Sequence, residues 1–233
     1  MSAPLVTLAA IERPPSQSQL AYEQLRTALR NAQFGGGSLL TESDLARQLG
    51  VSTTPVHDAM VRLASEGFVE LLPRRGARVV RLTIRDVEEI FEVREALEAE
   101  VTRLAQARMT PEDFAHLEDH LQQGKRGIDR NDYPTFNAAD VALHDCVAQA
   151  ANNQRLLRLL GEIRIWVQRV RFATVEHQFN LPGRPEKAQD EHAELVEALR
   201  QRDGRAEEIV RRHVSSLKAD IVAHMESQGL DSI

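Results

Sequence analysis

Apolar residues recur at helical spacing along most of the chain, with one interruption between residues 68 and 80. Just before it, residues 40–69 contain two short helical patterns that meet at a tight turn. In the first, Leu45, Ala46 and Leu49 share one face, and Gly50 supplies the left-handed conformation that ends the helix. In the second, the apolar positions again follow helical spacing and are Val56, Ala59, Met60 and Leu63. The pattern favours a helix-turn-helix over its alternative, an ordinary αα-hairpin inside a bundle.

The interruption itself predicts a β-hairpin. Residues 68–72 and 77–80 have strand character, and the turn between them, Pro73-Arg74-Arg75-Gly76, is cationic. A hairpin with arginines at its tip, directly after a helix-turn-helix, is a wing, which lays positive charge along DNA phosphates while the second helix, beginning near residues 52–55, enters the major groove. The residues expected to contact DNA are Arg47, Ser52, Thr53, Thr54, His57, Arg62, Arg74, Arg75, Gly76 and Arg78.

The remaining segments all predict helices. Ser16 begins one with Leu20, Leu25 and Leu29 on its apolar side. After the wing, six more are expected, at about 83–108, 110–125, 132–151, 154–178, 186–201 and 204–227. The inward face of the first of these six is expected to be Val87, Ile90, Val93, Leu97, Val101 and Leu104. The predicted fold is mainly α: a flexible tail (1–15), a winged helix-turn-helix domain (16–81) and an all-α six-helix bundle (82–233).

Composition and charge narrow the class of protein. The chain is 42% hydrophobic and 27% charged, as is typical of globular proteins, and no apolar run approaches the roughly 20 residues of a membrane span. The chain has a single cysteine, Cys146, and Met1–Ala10 has no basic start before its short apolar piece, as a signal peptide would. We therefore expect a cytoplasmic protein. The net charge of −6 is uneven: residues 1–81 hold nine Lys and Arg against seven Asp and Glu, and the remainder holds 20 against 28. DNA binding is therefore expected to depend on locally placed arginines and on two-site engagement.

One group of side chains in the predicted bundle has the chemistry of a metal site. Asp140 and His144 are four residues apart and share a helix face, while His192 and His213 lie on two other helices. One carboxylate and three imidazoles would suit zinc, nickel or manganese and would leave positions open for a ligand. Eight histidines in 233 residues also give such pairs by chance, as at His116 and His120, so spacing alone leaves both interpretations open.

Residues 20–80 resemble the DNA-binding domain of the GntR family of bacterial transcription regulators. The features that carry this resemblance are Leu25, Leu29, Leu40-Thr41-Glu42, Leu45-Ala46, Gly50-Val51-Ser52, Thr54-Pro55-Val56, Leu63, Glu66-Gly67 and Gly76. The chain departs from the family at Thr53 and His57, where arginine is usual. Because arginine is the commonest reader of guanine, the operator sequence is expected to differ from that of other members.

Residues 83–225 resemble the FCD ligand-binding domain of the FadR-like branch of that family, in its six-helix VanR-type form. The matching positions are Val93-Arg94, Leu97-Glu98, Asp140, His144, Asn153, Glu191-His192, Ala198-Leu199, Asp203 and Arg212-His213. The resemblance implies a divalent metal, most often zinc, on Asp140, His144, His192 and His213. The segment from Asp203 to His213 is one residue shorter than is common, which would rotate His213 by about 100° unless the turn at Gly204 absorbs the change.

The leading interpretation is a metabolite-responsive regulator, most often a repressor in this family, and not an enzyme. A homodimer would bind an inverted repeat in double-stranded operator DNA, with no membrane involved. The resemblance implies that Arg94 helps to hold a small carboxylate effector beside the metal, although an arginine there could simply pair with Glu98. The alternatives are a metalloenzyme acting on a small organic acid, which would need a base or nucleophile that the sequence does not offer, and a constitutive DNA-binding dimer with a structural metal.

Overall fold

The computed structural model describes residues 14–176, 181–202 and 204–233. The flexible tail expected at 1–15 therefore falls almost entirely outside the described residues, as does Asp203. Contacts within the chain divide it into two compact units, Met1–Leu29 with Gln33–Val80, and Arg30–Ala32 with Arg81–Ile233. Among the described helices, none combines the length and the apolar character needed to cross a bilayer.

The first unit is a winged helix-turn-helix. Its elements are α1 (Gln17–Arg30), β1 (Leu39–Leu40), α2 (Glu42–Leu49), α3 (Thr53–Ser65), β2 (Val69–Leu72) and β3 (Gly76–Val79). Thr41 begins α2 by accepting a hydrogen bond from the backbone of Asp44, and Gly50 ends it at a φ of 67°. Ser52 precedes α3, as the predicted start near residues 52–55 requires, and its side chain makes no capping hydrogen bond.

The apolar faces of this unit follow the predicted pattern with one exception. Leu45 and Ala46 of α2 are buried, as are the four apolar residues of α3 named above. Leu25 and Leu29 of α1 are also buried, but Leu20 is 49% exposed, and the buried positions next to it are Ala21 and Tyr22. A pattern of apolar residues does not predict Tyr22 inside, because its hydroxyl needs a partner; the Glu66 carboxylate, 2.7 Å away, supplies one.

The wing belongs to a three-stranded sheet whose order is β1-β3-β2. The sequence predicts only the β2–β3 hairpin; β1 pairs antiparallel with β3, with Leu40 opposite Ala77. This extra strand explains Gly76, which has a φ of 96° and whose added Cβ would lie 2.1 Å from the Leu40 carbonyl oxygen. Gly76 is thus required by the close approach of two backbones.

The second unit contains the six predicted helices. They are α4 (Ile84–Arg108), α5 (Pro111–Asp129), α6 (Tyr133–Ala150), α7 (Gln154–Glu176), α8 (Arg184–Gln201) and α9 (Ala206–Ser227). Capping boxes begin α4 at Thr83 and α5 at Thr110. Asn152 adopts a φ of 45° after α6, and the Asn153 side chain accepts hydrogen bonds from the first turn of α7.

The inward face of α4 differs from the prediction. Val93 is expected inside but is 49% exposed, whereas Phe91, Arg94 and Glu98 are buried. The prediction follows apolar residues only, and the true face carries an arginine and a glutamate at its centre. Because a buried charge requires a partner, Arg94 and Glu98 indicate a polar site inside the bundle.

The polar positions of the bundle lie between two apolar clusters. One surrounds Val87 and Phe91 of α4 with Val167 of α7 and Val214 of α9. The other contains residues further along α4, among them Ala99 and Val101, together with Leu143, Leu160, Leu195 and Val210. Arg94 and Glu98 fall between the two groups along α4, as His213 does along α9.

Gly76→Ala is expected to lower the free energy of unfolding of the full-length protein by more than Gly50→Ala does. Both residues have positive φ, which costs a side chain about 1–2 kcal/mol, but a Cβ on Gly50 meets nothing within 4 Å. Urea unfolding of both variants measures the difference. Equal losses would show that the contact with Leu40 adds nothing.

Candidate metal centre and DNA interface

The exposed side of α3 carries the residues predicted to read DNA. Thr53, Thr54 and His57 are exposed, as is Ser52 just before the helix. The Nδ1 atom of His57 lies 2.8 Å from the Glu42 carboxylate of α2, and this hydrogen bond raises the pKa of His57 above its usual value. The contact orients the His57 ring and stabilises its charged form relative to that of a free histidine.

Two of the predicted arginines are engaged within the first unit. Arg62 donates a hydrogen bond to Gln19 at 2.9 Å, and its guanidinium carbon lies 3.6 Å from the centre of the Tyr22 ring. These contacts hold Arg62 against α1. Arg47 forms an exposed ion pair with Asp44 at 2.7 Å, which is a weak restraint at the surface.

Among the arginines predicted to contact DNA, those of the wing are the least constrained. Arg74 and Arg75 are exposed at its tip, and Arg78 is exposed on β3, opposite Leu39 and Glu70. Within the described part of the chain, none of these three side chains forms an ion pair at 4.0 Å or less. Three cations on one short hairpin can neutralise phosphates without first breaking a contact.

The structure brings the four candidate metal ligands together. Asp140 and His144 come from α6, His192 from α8 and His213 from α9, and their ligand atoms lie within 4.8 Å of one another. All four side chains are buried. The rotation of His213 away from the site does not occur, and the turn before α9 contains Arg202 and Gly204, both with positive φ.

Each of three cluster members contacts a charged side chain outside the cluster. Nδ1 of His144 lies 3.0 Å from Glu98, and Nδ1 of His213 lies 2.7 Å from Glu191. One oxygen of Asp140 accepts a hydrogen bond from Arg171 of α7 at 2.6 Å. The other Asp140 oxygen lies 3.4 Å from Nε2 of His192.

Burial and neighbouring charge set the protonation of the cluster. Burial would raise the pKa of Asp140, but the charge of Arg171 outweighs this effect and holds the pKa well below its usual range. Burial lowers the pKa of His213, and burial together with His213 places the pKa of His192 well below its usual value. An ionised carboxylate and neutral imidazoles are the forms that bind a metal ion.

The donor atoms fit a divalent metal. Nε2 of His144 and Nε2 of His192 are buried and have no hydrogen-bond partner among the described residues. An unsatisfied buried polar atom costs about 1–3 kcal/mol. A bound cation would remove this cost for both imidazole nitrogens. The buried Asp140–His144–His192–His213 group can therefore hold a metal ion.

The candidate effector arginine is already paired. Nε of Arg94 donates to Glu98 at 2.8 Å inside the bundle, whereas its Nη1 is buried without a hydrogen-bond partner in the described structure. A small cavity on the other side of Glu98 is lined by that residue, Thr102, His144 and Arg164 with apolar neighbours, and Arg94 does not line it. Its volume of about 10 Å³ admits one water molecule.

Sequence reasoning missed the outer contacts of the cluster. Glu191 precedes His192 and enters the sequence analysis only as part of a motif, and Arg171 does not enter it. Arg184 also contacts Glu191, at 3.0 Å. Each contact joins residues on different helices or two turns apart, so no local spacing could have found it. Cys146 is partly buried, and burial raises the pKa of its thiol to about 11, so it is not a reactive nucleophile.

Two family descriptions match the chain: bacterial regulatory proteins of the gntR family over residues 17–79, and the FCD domain over residues 89–216. An HTH-type transcriptional regulator of Agrobacterium vitis is 41% identical over 134 residues, covering 56% of this chain and 78% of its own. The transcriptional repressor RspR of Escherichia coli K12 is 27% identical over 205 residues, 88% of either chain. A probable D-xylose utilization operon repressor of Paenarthrobacter nicotinovorans is 31% identical over 181 residues, 77% of either chain.

Among solved structures, Escherichia coli McbR/YncC has the same fold, with a TM-score of 0.73 at 22% identity over 92% of this chain and 99% of that one. The matched relatives are transcription regulators, in agreement with the expectation that the chain is not an enzyme. With a winged helix-turn-helix unit, an FCD unit of six helices and these matches, the chain belongs to the GntR family of DNA-binding transcription regulators.

Proposed function

We propose that this regulator is a metabolite-responsive repressor of the VanR-type subgroup, whose bundle binds a divalent metal and a small carboxylate effector. Residues 16–81 would be its DNA-binding domain and residues 82–233 its effector-binding and dimerisation domain. The observation that carries the proposal is the buried group of Asp140 and three histidines, in which two imidazole nitrogens lack a hydrogen-bond partner among the described residues. The six helices of the bundle support the subgroup.

The metal would be held by Asp140, His144, His192 and His213. Zinc suits three imidazoles and a carboxylate best, and nickel and manganese are compatible. A bound metal with an open position supplies a Lewis acid for the oxygens of a carboxylate ligand. Arg171 supports this role from the protein side, because it neutralises one Asp140 oxygen and leaves the other facing His192.

The effector would lie next to His144, in the cavity that Glu98 and Arg164 line. Arg94 does not line this cavity, so its unpaired Nη1 would have to turn toward the effector, for whose carboxylate a guanidinium is well suited. Since the cavity admits only about one water molecule, a small acid must displace side chains in order to enter. Binding of the effector would thus be coupled to rearrangement around α4.

DNA would be bound by α3 in the major groove and by Arg74, Arg75 and Arg78 along the phosphates. Two copies would meet an inverted repeat. The exposed apolar residues Val93 of α4 and Leu159 of α7, each 49% exposed, support these two helices as the dimer contact. The effector and the operator would favour different poses of the protein, so that each weakens binding of the other equally.

Repression is the direction that the relatives support, because RspR and the probable D-xylose operon regulator are both described as repressors. The constitutive alternative makes a different prediction, since its promoter output would not respond to any acid. The proposed effector is defined by its carboxylate alone.

Asp140→Ala combined with His144→Ala is expected to abolish stoichiometric zinc binding, because two of four ligands are removed. Metal content of the purified protein, measured by mass spectrometry after dialysis against Zn²⁺, checks this. His116→Ala with His120→Ala is the matched control, since these histidines share the same spacing on α5 outside the cluster. Equal zinc content in both double variants would contradict the proposed ligands.

Arg75→Ala is expected to weaken operator binding and to make the slope of log K against log salt shallower by about 1 for each phosphate that the arginine neutralises. Electrophoretic mobility or fluorescence anisotropy titrations at several salt concentrations, on DNA from upstream of its own gene, measure both. Arg85→Ala is the control, because Arg85 is equally exposed but belongs to α4. An unchanged slope for Arg75→Ala would exclude this arginine from the interface.

Arg94→Lys is expected to lower the affinity for the effector at saturating Zn²⁺ by about tenfold or more. Lysine keeps the positive charge opposite Glu98 but does not offer the two parallel donors of a guanidinium. The measurement is release of operator DNA by a panel of small organic and sugar acids. The matched control is Arg103→Lys, which alters an exposed ion pair on the same helix. If an acid released DNA equally from both variants, Arg94 would have no role in effector binding.

A further inference from the structure

Two of the cluster histidines share an arrangement that the ligand set alone does not require. His144 on α6 and His213 on α9 each turn Nδ1 toward a buried glutamate, at 3.0 Å for Glu98 and 2.7 Å for Glu191. The two glutamates come from different helices, α4 and α8. The His213 contact is a hydrogen bond, whereas the His144 contact is an ion-pair distance only, because Oε2 of Glu98 has no hydrogen-bond partner among the described residues. In both cases a glutamate lies beside the outer nitrogen of a cluster histidine.

Each glutamate is in turn held by a buried arginine. Nε of Arg94 donates to Oε1 of Glu98 at 2.8 Å, and an Nη of Arg184 donates to Oε2 of Glu191 at 3.0 Å. Arg184 is itself fixed to α9, through a hydrogen bond to Ser216 at 3.0 Å. Both carboxylates therefore have a defined position before any metal binds.

A carboxylate beside Nδ1 determines which ring nitrogen can bind a metal. The glutamate accepts a hydrogen bond only if Nδ1 carries the proton, and in a neutral imidazole this leaves the lone pair on Nε2. Nε2 of His144 is the buried atom without a hydrogen-bond partner in the described structure. A proton on Nδ1 of His144, facing Glu98, would leave this unpaired Nε2 as the metal-binding atom.

We propose that Glu98 and Glu191 are positioning residues of the metal centre, which hold His144 and His213 with Nε2 directed to the ion. The proposal rests on the ligand set proposed above. Residues of this kind change metal affinity by about 10–100-fold when replaced. Glu98 also accepts a hydrogen bond from Arg94. One carboxylate thus lies between the arginine assigned to the effector and a proposed metal ligand, His144.

The test compares Glu98→Gln and Glu191→Gln with the wild type as full-length, metal-stripped proteins. Zn²⁺ affinity is measured by competition with a chromophoric chelator, and the environment of the ion by the visible absorption of the Co²⁺-loaded protein. We expect Zn²⁺ affinity to fall about 10–100-fold in each variant, with an altered Co²⁺ spectrum. Glu100→Gln on α4 and Glu197→Gln on α8 are the controls, since both residues are exposed and pair only at the surface.

The outcomes separate this proposal from the ligand set. If the wild type binds Zn²⁺ and both variants bind it with wild-type affinity and give the wild-type Co²⁺ spectrum, the positioning role is wrong. The proposed ligand set is not affected by that result. If the wild type itself binds no stoichiometric Zn²⁺, the ligand set is wrong and this proposal falls with it. Circular dichroism establishes folding; should Glu98→Gln unfold because Arg94 is left without its partner, Glu191→Gln alone decides the matter.

Discussion

The bundle depends on compensating charge that it has buried between two apolar clusters. Arg94, Glu98, Asp140 and the three histidines lie where continuous hydrophobic packing would be the simpler arrangement. Removing one partner of a buried ion pair costs about 3–5 kcal/mol, so each charge is stable only while its neighbour remains. The site is therefore a stability requirement as well as a binding feature, and its members constrain one another across four helices.

This mutual constraint explains why the cluster is preorganised. Glu98, Glu191 and Arg171 contact the outer atoms of three candidate ligands, and the inner atoms are left facing one another. Filling the centre with a cation would relieve the two imidazole nitrogens that lack hydrogen bonds within the described structure. A cluster held in this way would lose little conformational freedom on binding an ion.

Sequence alone predicted the order and number of the main elements because helical periodicity, caps and breakers are local signals. It failed where a partner distant in sequence decides the outcome. Strand β1 has two residues and exists only by pairing with β3. The face of α4 was misassigned because its buried centre is ionic, and Glu98 is stabilised by a histidine 46 positions further along. The ligand types could be named from spacing and resemblance, but their outer contacts required the fold.

The pairing of β1 with β3 has a consequence for the way in which the first unit would fit operator DNA. Because β1 ends at Leu40, immediately before the cap of α2 at Thr41, the hairpin is joined through the sheet to the residue where the helix-turn-helix begins. The backbone therefore fixes the distance between the arginine tip of the wing and α3. A bound duplex would therefore have to match this separation with its groove and its phosphates at the same time.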